Sequence, residues 1–181
     1  MNNILTVLTV ATAAATLPMA HADNWYADGG YNLSSADYET GAESVDFDIG
    51  AIVGHVGYDF TTYFGVEGEV AIGVQDETFT ISATDITLGL NYLVGAYGKV
   101  QLPVTDRISL FARAGVVNVE LEAKFQGFGS GSQSSSDTGA GFGGGAMIDV
   151  TDTLFVRGDY TRFDIERYEA HAFTVAVGVK F

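Results

Sequence analysis

Apolar residues alternate with small or polar ones along most of this chain, and the alternation is cleanest at its end. In Phe173-Thr-Val-Ala-Val-Gly-Val-Lys-Phe181 the residues Phe173, Val175, Val177, Val179 and Phe181 occupy every second position. A strand turns alternate side chains to opposite faces, so one face of this segment is hydrocarbon and the other small or polar. The same period predicts seven earlier strands. The first, Trp25 to about Leu33, has Trp25, Ala27, Gly29, Tyr31 and Leu33 on one face and Asp28 and Asn32 on the other. The second, about Asp46 to Tyr58, is read with Phe47, Ile49, Ala51 and Val53 on its apolar face, and its Gly54–Tyr58 half fits either register. The third, Tyr63 to Val74, sets Phe64, Val66, Gly68, Val70, Ile72 and Val74 against Glu67 and Glu69. The fourth, Ile86 to Gln101, sets Leu88, Leu90, Tyr92, Val94 and Ala96 against Asn91, Tyr97 and Lys99. The fifth, Arg107 to about Glu122, sets Ile108, Leu110, Ala112, Ala114 and Val116 against Arg113, and its Val116-Val117 pair breaks the alternation as a bulge would. The sixth, Asp137 to Val150, has Ala140, Phe142, Gly144, Ala146 and Ile148 on one face. Its other face carries Gly141, Gly143 and Gly145, which leave room for large side chains opposite. The seventh, Leu154 to Phe163, has Arg157 and Asp159 on its polar face.

Short turns alternate with longer polar connections. The turns fall at Asp59–Thr62, Leu102–Asp106 and Thr151–Thr153; in the second, Pro103 leaves the ladder and Asp106 supports the turn. The longer connections are Ser34–Val45, Gln75–Asp85, Ala123–Ser136 and Asp164–Ala170, and the Gly/Ser run from Gly127 reads as a flexible tip. Apolar faces backed by charged ones, joined by short and long connections in turn, predict an all-β fold: an eight-stranded antiparallel up-and-down transmembrane β-barrel. Trp25, Tyr26, Tyr58, Tyr63, Phe64 and Phe181 then fall near the periplasmic rim, and Tyr31, Phe47, Phe163 and Phe173 near the outer one, as interfacial girdles.

Composition narrows the picture. The apolar fraction of 47% is too high for a disordered acidic chain, despite a net charge of −15. That charge, 23 acidic residues against 8 basic, excludes nucleic acid as a partner, because a phosphate binder needs clustered Lys and Arg. Asp37, Glu39, Glu43, Asp46, Asp76 and Glu77 concentrate in the predicted loops as solvated tips, without the ordered spacing of a calcium loop. Ile4 to Leu17 is apolar or small and uncharged, and Ala20-His21-Ala22 follows it. This is the pattern of a secretory signal peptide cleaved after Ala22, although Met1-Asn2-Asn3 lacks the usual Lys or Arg. Residues 23–181 are then the barrel domain. With no Cys, neither a disulfide nor a lipid-modified cysteine is expected.

Several stretches resemble the small outer-membrane barrels of the opacity-protein and outer-membrane-protein-A-like type. They are Val56-Gly-Tyr-Asp-Phe60 with Tyr63-Phe-Gly-Val-Glu-Gly-Glu69, Leu102-Pro-Val-Thr-Asp-Arg-Ile-Ser-Leu-Phe-Ala-Arg-Ala-Gly115, the glycine-rich Thr138–Val150, and Val150-Thr-Asp-Thr-Leu-Phe-Val-Arg-Gly-Asp-Tyr160. The resemblance covers essentially all of residues 23–181. It implies residence in the outer membrane of a Gram-negative bacterium. It also implies that Phe173, Val175, Val177, Val179 and Phe181 resemble the C-terminal signal read by the barrel assembly machinery. It fixes no single activity, and no peptidoglycan-binding domain is expected after Phe181.

The predicted interior holds Glu67, Glu69, Lys99, Arg113, Arg157 and Asp159. Opposite charges enclosed in a narrow barrel should pair, because unpaired buried charge is costly. The expectation is an ion-pair plug and a structural or surface-interaction role, with external loops displayed at the cell surface. A narrow porin-like pore, opened when an acid–base pair breaks, is the alternative. A soluble lipid-binding barrel or a lipid A-modifying enzyme fits less well. Of the histidines after the signal, His55 has no obvious partner and His171 lies near the outer rim with no Ser two positions away. No catalytic, cofactor or metal site is expected. The expected partners are membrane lipids and lipopolysaccharide, with the barrel a monomer.

Overall fold

The computed structural model describes residues 24–40, 43–75, 77–81, 84–126, 131–165 and 168–181. The predicted signal peptide, Asp76 and residues 127–130 of the Gly127 tip lie outside them. The strands are β1 Trp25–Thr40, β2 Glu43–Asp59, β3 Phe64–Gln75, β4 Glu77–Ile81, β5 Thr84–Pro103, β6 Ile108–Gln126, β7 Gly131–Asp149, β8 Leu154–Ile165 and β9 Tyr168–Lys180. All pairings are antiparallel between neighbours. β3 pairs with one part of β5 (Ala71↔Leu93) and β4 with the next (Glu77↔Leu88), so these two strands form one stave of eight. The β3–β5 and β1–β9 ladders close the ring. The last seam runs from Tyr26↔Lys180 to Asp37↔Glu169, and the Phe181 N–H donates to the Trp25 carbonyl at 2.9 Å. Closure pairs the strands of the ring on both edges, as a lipid environment requires, while β4 pairs with β5 alone.

The alternating faces follow. Val66, Val70 and Ile72 of β3 are exposed on the outside, as are Phe173 and Val175 of β9, while Glu67, Glu69, Thr174 and Ala176 are buried within. The turns are built by local bonds. Thr61, Thr105 and Thr151 each accept two backbone N–H bonds through Oγ1, from residues two and three positions ahead. Asn24 enters β1 with φ 86°, a left-handed conformation that Asn tolerates, and its carbonyl accepts the Asp59 N–H at 2.9 Å.

The structure corrects the sequence reading in four places. First, β2 has the opposite register in its outer half. Ala51 and Val53 are buried at 1%, and Ile52 and Val56 face outward. Phe47 belongs to a stretch whose side chains are not described. Second, the bulge in this region lies at Asn91 rather than at Val116-Val117. Leu90 pairs with Leu121 and Tyr92 with Glu120, leaving Asn91 unpaired. Leu90 therefore packs inward and Asn91 is exposed, donating to Glu120 Oε1. Val116 and Val117 stay in continuous register, one out and one in. Third, Tyr26 and Phe163 are buried inside the barrel, so neither belongs to a girdle. Trp25, Tyr58 and Phe60 form a ring cluster at the turn end instead. Fourth, most of the predicted long loops are strand. β1 and β2 continue to Thr40 and from Glu43, while β6 and β7 pair out to Phe125↔Gly131. In the same way, β4 lies inside the predicted second connection, and β8 and β9 pair as far as Ile165↔Tyr168. With 16–20 residues each, β1, β2, β5, β6 and β7 far exceed the ~10 a membrane crossing needs. Their polar ends are held by hairpin pairing, which apolar alternation does not reveal.

Candidate functional site: the charged interior

The interior is layered. Tyr26, Phe111, Met147 and Phe155 pack together at the turn end. A larger apolar cluster, including Val53, Leu93, Val117, Val119 and Phe163, fills the loop end. Between them lies a belt of charge. Each member comes from an inward strand position, and glycines make space for the larger side chains. A Cβ on Gly57 would lie 2.0 Å from the Tyr26 ring, and one on Gly141 would lie 2.9 Å from the Tyr97 ring.

Glu67, Glu69, Lys99, Arg113, Arg157 and Asp159 are all buried. Arg157 and Glu67 form a two-pronged pair across the lumen, Nη1 to Oε2 at 2.6 Å and Nη2 to Oε1 at 3.1 Å. Such forked pairing is the strongest arrangement an arginine makes with a carboxylate. Arg157 Nε also donates to Asp159 Oδ2 at 2.7 Å. Arg113 reaches the same carboxylates from β6, with Nη1 2.7 Å from Glu67 Oε1 and 2.8 Å from Glu69 Oε2. Its Nη2 donates to Thr161 Oγ1 at 2.8 Å and to Asp159 Oδ1 at 3.2 Å. Both guanidiniums lie over aromatic faces, Arg113 above Tyr97 and Arg157 above Phe111, each at 4.5 Å. Lys99 stands apart, toward the turns. It pairs with Asp59 at 2.8 Å and lies 4.1 Å over the Tyr26 ring.

Three members of the belt were not assigned to it from sequence. The Tyr26 hydroxyl donates to Glu67 Oε2 at 2.5 Å. His55 Nδ1 lies 2.5 Å from Asp28 Oδ1, and its Nε2 lies 3.7 Å from Glu69 Oε2. Strand pairing explains this row: Asp28 is opposite His55, and His55 is opposite Glu69. Asp28 also approaches Arg157 at 3.4 Å, which joins the row to the central pair. His171 lies outside the barrel, stacked on Tyr160 with its Nδ1 2.5 Å from the phenol oxygen. Among the described residues no group of His, Asp and Glu is arranged to hold a metal ion. The belt's chemical capacity is mutual neutralisation: it ties β1, β2, β3, β6 and β8 together across the lumen.

A family model for the outer membrane protein beta-barrel domain matches residues 4–181. No curated protein sequence matches significantly. Among solved structures, the attachment invasion locus protein Ail of Yersinia pestis is similar with a TM-score of 0.66 at 21% identity, over 88% of this chain and 100% of that one. OprG of Pseudomonas aeruginosa gives 0.61 at 12% identity over 90% and 98%. Neisserial surface protein A gives 0.60 at 16% identity over 87% and 97%. At these identities the likeness is one of fold.

Proposed function

Because this chain belongs to the outer membrane protein beta-barrel domain family, we propose that it acts as a closed structural barrel that presents its long strand ends at the cell surface. The observation that carries this reading is the forked Arg157–Glu67 pair, braced by Arg113, Asp159 and Asp28. It lies across an eight-stave lumen, which side chains of this size fill. The lipid-facing surface contacts membrane lipids and lipopolysaccharide. Export by the signal peptide, cleavage after Ala22 and delivery through the terminal Phe173–Phe181 pattern belong to the same proposal.

The surface interaction differs in kind from one seen in a structural neighbour. Ail has been crystallised with the heparin analogue sucrose octasulfate. Here residues 34–48, 75–85, 118–137 and 162–170 carry fourteen Asp and Glu against three Lys and Arg. A loop end so acidic repels polyanions, so sulfated sugars are poor candidates for this chain. The closed lumen is tested by single cysteines at Thr174 and Ala176, which are 1% and 2% exposed inside the wall and are not plug members. The native chain has no Cys to confuse the result. Both positions should resist a membrane-impermeant thiol reagent in the folded protein. Rapid labelling of both from the aqueous side would mean an open lumen and favour the narrow-pore reading.

A further inference from the structure

His55 is enclosed between two carboxylates. Its Nδ1 lies 2.5 Å from Asp28 Oδ1 and its Nε2 3.7 Å from Glu69 Oε2, and all three side chains are shut off from solvent. A neutral imidazole has one N–H and one lone pair, so it serves one carboxylate and turns its lone pair on the other. An imidazolium donates toward both. The charge balance points the same way. In the central belt two guanidiniums, Arg113 and Arg157, face four carboxylates: Asp28, Glu67, Glu69 and Asp159. Lys99 is committed to Asp59 nearer the turns. Buried carboxylates short of a cation are costly, and among the described residues of the belt His55 is the one left that can supply a positive charge.

The surroundings of His55 show what its proton does. Asp28 on β1 divides its two oxygens between His55 and Arg157 of β8. On β3, His55 and Arg113 of β6 share Glu69 Oε2, and Glu67 is the next inward position. Tyr97 of β5 borders Glu69 and lies under the Arg113 guanidinium. At 3.7 Å the His55–Glu69 contact is the longest ion pair of the belt. We propose that His55 is the belt's third cation and its pH-responsive member: as an imidazolium it ties β1, β2 and β3 together through Asp28 and Glu69, and loss of the Nε2 proton turns a lone pair on Glu69 and loosens that tie. A folded state that holds a proton which the unfolded chain gives up loses stability as pH rises. This device goes beyond the closed-barrel function and does not depend on whether the lumen conducts.

Nitrogen NMR of the full barrel in lipid nanodiscs, isotope-labelled at the histidine ring nitrogens, reads these protons directly. At about pH 7 both His55 nitrogens should be protonated, and Nε2 should lose its proton as the pH is raised. His55→Gln removes these signals and so assigns them. The same variant gives a second readout. From about pH 6 to about pH 10, the folding equilibrium constant measured by urea unfolding should fall at least about ten-fold further for the native barrel than for His55→Gln. If that variant fails to show the folded form on unboiled gels, His21→Gln with His171→Gln assigns the His55 signals by elimination, and the protons on its ring decide. A lone pair on either His55 nitrogen at about pH 7, or parallel stability profiles for the native barrel and a folded His55→Gln, would each overturn the proposal.

Discussion

Arg157 is buried at 2% exposure and satisfied by three carboxylates, so its removal leaves Glu67, Asp159 and Asp28 short of a cation in a confined lumen. Stripping one partner from a buried ion pair costs about 3–5 kcal/mol, while replacing both with apolar groups is often near neutral. Arg157→Leu should therefore lower the unfolding free energy of the vesicle-embedded barrel, read by urea titration, by that order, and Arg157→Leu with Glu67→Leu should recover much of it. A double variant no more stable than the single one would show that the pair is not the unit of stabilisation. At this scale much was legible. Glu67, Glu69, Arg113, Arg157 and Asp159 interrupt the period-two pattern on its minor face, and that phase alone puts them inside. Asp28 and His55 were not assigned to the belt because their partnership depends on which strand positions are opposite, and that is fixed by hairpin register. Tyr26 was misplaced because an aromatic residue at a strand's end reads as a girdle whether it points in or out.

At the scale of the element, β2 shows how far alternation can mislead. Ala51 and Val53 on one face and Ile52 and Val56 on the other are all apolar, because its inward face meets the loop-end apolar cluster while its outward face meets lipid. Two apolar faces carry no phase. The same holds for Leu90 in β5, where the bulge at Asn91 shifts the register by one and turns Leu90 inward. The assignment is checked by single cysteines at Ile52 and Val53 carrying an environment-sensitive fluorophore, with nitroxide quenchers in the acyl chains. Strong quenching at position 52 and little at 53 is expected. The reverse would restore the register read from sequence. The polar extensions of β1, β2, β6 and β7 escaped sequence analysis for a different reason. Their stability comes from a ladder that keeps zipping past the membrane, and Ser and Gly residues such as those of 131–136 give that ladder no hydrophobic signature.

The whole molecule is a wall of eight staves around three interior layers: an aromatic layer at the turns, a charged belt, and an apolar cluster toward the loops. The eight-stave ring and its lipid-facing surface could be read from the chain, since the count of alternating segments and the short–long order of connections each constrain it. The layering could not, because it depends on the relative height of residues far apart in sequence, such as Glu67 and Arg157. The central claim is that the middle layer closes the lumen. The most direct test is single-channel recording of the purified barrel in a planar lipid bilayer. The account predicts no sustained conductance from the native protein, and openings only when Arg157 or Glu67 is replaced by a small neutral residue. A steady conductance in the native barrel, unchanged by those substitutions, would contradict it.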